Sequence, residues 1–249
     1  MLLDNKNAIV YGGGGSIGGA VARAFAREGA NVHLAGRTAA SLQRVADEIR
    51  LAGGVADTAV LDALDEAAID AHADAVASRT GSIDISINLI SQGDVQGTPL
   101  AEMQVEDVMR PVVTSVRTMF LTSRAAARHM IGQRSGVILA FGGYGDPKPN
   151  LGGLQVAFGA VESLRRNLAC ELGPYGIRVL TLQTGGVPET IPADFDGRAA
   201  IVDDLERRTM LGRAATLDDV GNVAAFAASD RARSMTGSAL NITCGSVVG

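Results

Sequence analysis

Residues 10–18 read Val-Tyr-Gly-Gly-Gly-Gly-Ser-Ile-Gly, between an apolar run that begins at Asn7 and a helix-period run that begins at Ala20. Glycines let the backbone turn tightly and approach a ligand without an intervening Cβ. The unbonded N–H groups at a helix start attract anions. Four glycines alone would equally suit a flexible turn, but the preceding strand and the following helix predict a phosphate-binding turn.

Apolar strand-like runs alternate with helix-period runs along the chain, and nearly continuous apolar strands between helices need cover on both faces. The sequence therefore predicts an α/β fold: a doubly wound parallel sheet, or Rossmann fold, with helices on both faces. No change of composition marks a linker, so we expect one domain over residues 1–249. The predicted strands are 7–11, 31–36, 55–61, 83–90, 136–141, 177–182 and 240–242. The later predicted helices are 66–80, 105–131, 154–172, 205–210 and 217–229, with loops at 142–153 and 184–201.

Composition narrows the classes of partner. The chain carries a net charge of −5 and no block of Lys and Arg, so we expect no nucleic acid partner. No apolar stretch reaches the roughly 20 residues that span a bilayer, and Asp4 follows Met1 too soon for a signal peptide, so we expect no membrane association. Two cysteines indicate a reducing cytoplasm, and three scattered histidines give no reason to expect a metal.

Further stretches follow the glycine turn in a fixed order. Residues 171–179 read Glu-Leu-Gly-Pro-Tyr-Gly-Ile-Arg-Val, residues 211–213 read Leu-Gly-Arg, and Thr-Gly stands at 236–237. With a turn similar to Thr-Gly-x-x-x-Gly-Ile-Gly, in which Tyr11 replaces Thr and Ser16 replaces Gly, they resemble the short-chain dehydrogenase/reductase family. The resemblance covers essentially the whole chain. It implies a nicotinamide cofactor and hydride transfer to or from a small organic substrate.

The resemblance also implies a cofactor site. Arg37 follows the second strand, where a guanidinium can pair with a 2′-phosphate, so NADP(H) is favoured over NAD(H). The alternative for Arg37 is a solvated surface residue. Asp62 matches an adenine-contacting position, with a helix cap as its alternative. The residues implied for cofactor binding are Gly12, Gly15, Ser16, Ile17, Gly18, Arg37, Thr38, Asp62, Asn88, Gly185 and Val187.

The family's chemistry uses a Tyr, a Lys four residues later, a Ser and an Asn. Counting back along the helix from Glu171 places Leu154 at the Tyr position and Phe158 at the Lys position. The Ser position falls on residues 141–143, which read Phe-Gly-Gly, and Ser115 stands at the Asn position. An apolar pair in place of Tyr and Lys can neither donate nor accept a proton, so the usual proton relay is expected to be missing.

One segment matches the pattern Tyr-x-x-x-Lys by composition alone. Tyr144 and Lys148 have this spacing, but Gly145 and Pro147 lie between them in a predicted loop. A loop tyrosine and a surface lysine are the ordinary interpretation. The loop nevertheless follows the carboxyl end of a strand, where ligands bind in such folds. Tyr144 is therefore the best surviving candidate for a proton donor, with the hydroxyl of Ser115 as the second.

These observations favour a divergent NADP(H)-dependent oxidoreductase that works without the Tyr/Lys relay. Two alternatives stay open: a catalytically inactive nucleotide-binding sensor or partner subunit, and non-redox catalysis in an apolar pocket. The resemblance further implies a homotetramer or a homodimer. An apolar stripe on the long fourth helix, formed by Val112, Val116, Met119 and Phe120, would suit such an interface or packing on the sheet.

Overall fold

The first strand, β1 (Asn7–Tyr11), is buried at all five residues. In the computed structural model, which describes residues 1–143 and 148–248, β1 lies between β2 (Asn31–Gly36) and β4 (Ile85–Asn88) and pairs with both in parallel. A strand with a neighbour on each side and helices on both faces has no exposed surface. This position explains why residues 8–11, directly before the glycine turn, are all apolar or aromatic.

Seven parallel strands form one sheet in the order β3-β2-β1-β4-β5-β6-β7. The chain runs from β1 outward to β3, then returns to β4 beside β1 and continues outward in the other direction. This reversal leaves a crevice at the carboxyl ends of β1 and β4, where ligands bind in open α/β sheets. The predicted doubly wound sheet is confirmed. The remaining strands are β3 Val55–Val60, β5 Gly136–Gly142, β6 Ile177–Thr184 and β7 Ala239–Ile242.

Helices cover both faces of the sheet. One face carries α1, α2 and α7 over a core that includes Val21 and Val220, and the other carries α3, α4 and α5 over a core that includes Ile69 and Met119. In the described ranges no helix is both long and apolar enough to cross a membrane. The helices are α1 Ser16–Arg27, α2 Ala39–Leu51, α3 Glu66–Thr80, α4 Val105–Gln133, α5 Leu154–Leu172, α6 Arg198–Arg207 and α7 Leu217–Ala228.

The sixth helix departs from the prediction. The sequence predicted a loop over 184–201 and a helix over 205–210, whereas α6 spans Arg198–Arg207. Gly197, at φ 83°, precedes the helix, and an ion pair between Asp203 and Arg207 spans one turn. The prediction was wrong because α6 buries none of its residues, and its polar surface gives little hydrophobic periodicity.

The fourth helix continues through Pro111, which lies inside its span. Pro111 is buried, and a Cβ placed on Gly153 would lie 2.9 Å from its Cγ. The absence of a side chain at Gly153 therefore lets the start of α5 pack closely on α4. Further along its length, α5 packs on β6 and β5.

Candidate active site

The glycine turn is built from close backbone contacts. A Cβ on Gly12 would lie 2.3 Å from the Leu89 carbonyl oxygen, and a Cβ on Gly18 would lie 2.1 Å from the Gly12 carbonyl oxygen. Gly12 also has a φ of 80°, which favours glycine. Gly15 is the N-cap of α1, and in the described part of the chain no side chain caps this helix start. The turn thus presents helix N–H groups to any ligand above it.

A cleft of about 570 Å³ opens beside this turn, at the carboxyl ends of the central strands. The structure brings five of the predicted cofactor residues to its lining: Gly12, Gly15, Arg37, Thr38 and Asp62. The other six predicted residues, Ser16, Ile17, Gly18, Asn88, Gly185 and Val187, do not line this cavity. Three further polar residues line the cleft and were not predicted from the sequence: Ser41, Arg110 and Thr114. Arg110 and Thr114 belong to α4, which is distant in sequence from the turn.

Arg37 and Asp62 follow β2 and β3 on the same wall of the cleft. Both side chains are exposed, and the Asp62 carboxylate accepts a hydrogen bond from the Leu64 backbone N–H at 3.0 Å. The alternative that Asp62 caps α3 is wrong, because Asp65 accepts from the Ala68 N–H and is the N-cap. Asp62 instead shapes the turn at the rim of the cleft.

Asn88 is the last residue of β4 and links this strand to α4 by a hydrogen bond. Its amide nitrogen donates to the Thr118 hydroxyl at 2.9 Å, and its amide oxygen accepts from the Ile90 N–H at 3.0 Å. Asn88 therefore holds the segment that lines the floor of the cleft at a fixed height relative to α4.

Ser115 lies beneath the cleft. It is 7% exposed, and its hydroxyl has no hydrogen-bond partner among the described residues. The hydroxyl borders a void of about 20 Å³ that Asn88, Gln92 and Thr118 also line. A polar void of this size has room for one water molecule. The neighbouring Thr114, rather than Ser115, reaches the cleft itself.

The Phe158 ring stands where the sequence predicts the family's lysine, and we call the surroundings of this ring the reacting end. The Phe158 ring lies 3.5 Å from the positions that a Cβ would take on Gly142 and on Gly143. Leu154 begins α5 one helical turn earlier and is half-buried on the same side. Beside the ring is a void of about 50 Å³, and because Glu162, Thr181 and Gln183 are among its lining residues, it is not purely apolar. Tyr144 lies outside the described residues.

The turn after β6 is wedged between two later segments. A Cβ on Gly185 would lie 2.3 Å from the Ser246 hydroxyl oxygen, and a Cβ on Gly186 would lie 2.7 Å from Leu205 Cδ2. Val187 is 4% exposed and belongs to the core. Close packing against the C-terminal segment and α6 thus determines the path of this turn at the edge of the site.

Tyr11 takes the place of the family's threonine but does not face the cleft. It is fully buried, and its ring centroid lies 6.0 Å from that of His72 on α3. Burial, helped by the charge of Asp70, raises the pKa of Tyr11 well above its ordinary value. Burial, followed by the charge of His33, lowers the pKa of His72 to about 4. Both side chains are therefore neutral at neutral pH, which suits a buried structural role.

Within residues 1–143 and 148–248, no group of three or more His, Cys, Asp or Glu lies together in an arrangement that could hold a metal ion.

Comparison with known proteins places this geometry in a family. The family model described as enoyl-(acyl carrier protein) reductase matches residues 13–246. The 7alpha-hydroxysteroid dehydrogenase of Escherichia coli (strain K12) is 31% identical over 251 residues, which cover 98% of this chain and 95% of that protein. A short-chain dehydrogenase/reductase from Serratia marcescens BCRC 10948 superposes with a TM-score of 0.88 at 29% identity, over 100% of both chains. A short chain dehydrogenase from Burkholderia cenocepacia J2315, solved in complex with NADP, superposes with a TM-score of 0.86 at 28% identity, over 99% of both chains. The chain therefore belongs to the short-chain dehydrogenase/reductase family of oxidoreductases.

Proposed function

We propose that this protein is an NADP(H)-dependent oxidoreductase that transfers hydride to or from a small organic substrate without the usual Tyr/Lys proton relay. The main support for this proposal is the cleft beside the glycine turn. Gly12 and Gly18 leave no room for side chains where a pyrophosphate would approach the backbone. Arg37 lines the same cavity and supplies a positive charge at its rim. These features fit a phosphorylated dinucleotide.

The predicted cofactor residues, in the cleft lining and around it, divide between the parts of such a cofactor. The N–H groups at the start of α1, at Ser16 and Ile17, would hold the pyrophosphate. Arg37 and Thr38 would hold the 2′-phosphate, and Asp62 would lie at the adenine end. Asn88, Gly185 and Val187 would support the nicotinamide end through the segments that they fix. When bound, the cofactor supplies the hydride.

The reacting end supports the second half of the proposal. Leu154 and Phe158 carry no ionisable group, and the Phe158 ring covers two glycines where the family's serine would stand. Positioned proton transfer contributes about 10²–10⁴-fold to a rate. A ketone reductase without it would be slow, whereas an activated C=C bond can take its proton from water after hydride addition. The description of the matched family model, an enoyl reductase, supports a conjugated enone as the substrate class.

Cofactor preference can be tested at Arg37. Arg37→Ala removes the proposed partner of the 2′-phosphate, so we expect the affinity for NADPH to fall by about 10- to 150-fold. Affinity for NADH should change by less than about threefold. Fluorescence titration with both cofactors measures this. Arg44→Ala, on α2 and paired with Glu48, is the matched control. Equal losses for NADPH and NADH would contradict the assignment.

Activity can be tested by following NADPH oxidation against panels of ketones and conjugated enones. We expect turnover of an enone and weak or no turnover of ketones. If NADPH binds tightly and neither panel is reduced, the oxidoreductase proposal fails. The second candidate, a nucleotide-binding sensor or partner subunit, would then be favoured, because the Phe158 ring already fills the reacting end.

We also propose a homodimer or homotetramer through α4. The predicted stripe is divided in the structure: Met119 is 2% exposed and packs in the core, whereas Phe120 is 44% exposed. Exposed apolar residues continue along the helix at Val105, Met109 and Val113. Val113→Glu should shift the light-scattering mass at micromolar concentration toward the monomer. A monomeric unaltered protein would contradict the proposal.

A further inference from the structure

We propose that Arg110 forms the outer wall of the nucleotide cleft and that its guanidinium contacts the adenine base of the bound cofactor. This inference rests on the proposed function and assigns a residue of α4 to the same site.

The direction of α4 places Arg110 above the sheet edge. Thr118 bonds to Asn88 at the carboxyl end of β4, and Gln133 bonds to the backbone of Ile83 just before the start of β4. The helix therefore runs antiparallel to β4, with its start beyond the carboxyl end. Arg110 lies eight residues before Thr118, which corresponds to about 12 Å along the helix. Arg110 thus stands at the outer rim.

Arg110 and Thr114 lie on one face of α4. They are four residues apart, and both line the cleft that contains the glycine turn. Thr114 is the inner of the two, so Arg110 covers the part of the cavity nearest to solvent.

The Arg110 side chain is tethered at one end. Its Nη2 donates to the Asp107 carboxylate at 2.9 Å. Its Cδ lies 3.7 Å from the position that a Cβ would take on Gly93, which is an ordinary van der Waals distance. Asp107 is its one hydrogen-bond partner within the described residues, and 45% of the side chain is exposed. A guanidinium tethered at one nitrogen keeps its flat face available.

The surrounding chemistry favours a base over a phosphate at this position. The cleft also has apolar lining residues, among them Ala63, Leu89 and Ile90, which suit the face of a flat ring. A guanidinium stacks well on aromatic faces. The Asp107 carboxylate, 2.9 Å from Arg110 Nη2, repels an anion at this position, which disfavours a dianionic phosphate there. Arg37, on the wall formed by β2, is the better phosphate partner.

The roles proposed for Arg37 and Arg110 therefore predict different effects on the affinities for NADPH and NADH when either residue is replaced. Loss of a base contact weakens NADPH and NADH by the same factor, because both contain adenine. Loss of a 2′-phosphate contact weakens NADPH alone. Measuring both affinities in each variant separates the two roles without depending on catalytic activity.

The test is fluorescence titration of the full chain with NADPH and with NADH. Arg110→Ala should weaken both by the same factor, between about 2- and 30-fold. Arg110→Phe, which keeps a flat surface and removes the charge, should restore both affinities to within about threefold of the unaltered protein. Arg117→Ala, at an exposed position of the same helix outside the cleft lining, is the matched control and should change neither.

Three outcomes would overturn the inference. Unchanged affinities in Arg110→Ala would remove Arg110 from the site. A loss for NADPH alone would make Arg110 a phosphate ligand, and failure of Arg110→Phe to restore binding would exclude a stacking contact. In each case the unaltered protein still binds NADPH, so the proposed function survives. If the unaltered protein binds neither cofactor, the proposed function and this inference fail together.

Discussion

Replacing Gly18 by alanine tests whether the glycine turn is a nucleotide cradle. The new Cβ would lie 2.1 Å from the Gly12 carbonyl oxygen and 2.8 Å from its carbon, both of which are backbone atoms. Ordinary contact begins at 3.4 Å, so the start of α1 and the turn must separate by about 1.3 Å. A side chain could rotate away from such a clash, whereas backbone atoms cannot.

A displacement of this size would break the hydrogen bonds that the helix N–H groups donate to a phosphate. Hydrogen bonds to phosphate have donor–acceptor distances near 2.9 Å, and an added shift of about 1.3 Å breaks them. Hydrogen bonds to charged groups contribute about 1.5–3 kcal/mol each, so losing one weakens binding by about 10- to 150-fold. Overpacking would also lower the free energy of unfolding by about 1–3 kcal/mol.

The assay combines fluorescence titration with NADPH and urea unfolding followed by circular dichroism. Gly19→Ala is the matched control, because it adds the same methyl group one residue later. There the nearest atoms are side-chain ends, Arg23 Nη1 at 3.1 Å and Val45 Cγ2 at 3.2 Å, so an adjustment of a few tenths of an ångström suffices. We expect Gly19→Ala to bind NADPH normally. If folded Gly18→Ala binds NADPH as tightly as Gly19→Ala, the cradle argument is refuted.

Two predictions concern stability. Since burial lowers the pKa of His72 to about 4 while the unfolded chain keeps about 6.5, only the unfolded state takes up this proton between those values. The stability present above pH 6.5 should therefore fall by about 3 kcal/mol down to pH 4, and His72→Gln should remove this slope in urea unfolding between pH 7 and 4.5. An unchanged slope would show that another group titrates. Asp219→Ala should lower the midpoint of thermal unfolding by about 2–4 °C, because Asp219 and Thr216 form the capping box of α7. Asp218→Ala, in the same turn but outside the capping box, should cost less, and an equal loss would contradict the assignment.

Local patterns in the sequence were sufficient to predict the architecture. Helices α3 (Glu66–Thr80) and α5 (Leu154–Leu172) have the predicted bounds. The spacing of apolar residues and the glycines that end a helix are patterns of a few neighbouring residues. The bounds of these helices can therefore be predicted from nearby positions alone. The strand–glycine–helix order of residues 7–18 likewise predicted the turn, because backbone sterics limit what can stand at Gly12.

Only some of the residues that line the cleft could be predicted from such local patterns. Arg37 and Asp62 were found because each follows a strand, and parallel strands bring their carboxyl ends to one edge. Arg110 was missed because no local pattern connects α4 with that edge. Asp62 and Asp65 are equally suitable caps by composition, and only the backbone path at the start of α3 selects Asp65.

The amino-acid sequence by itself thus determined the fold class, the glycine turn between β1 and α1, and the absence of a Tyr/Lys pair at positions 154 and 158. Only the tertiary structure decided that the Phe158 ring lies on Gly142 and Gly143, and that Arg110 shares a cavity with Arg37. The reason is that a residue's type and its local backbone preference depend only on that residue and its neighbours in the sequence. Which distant residues meet depends on the order of strands in the sheet and on how closely helices pack over it.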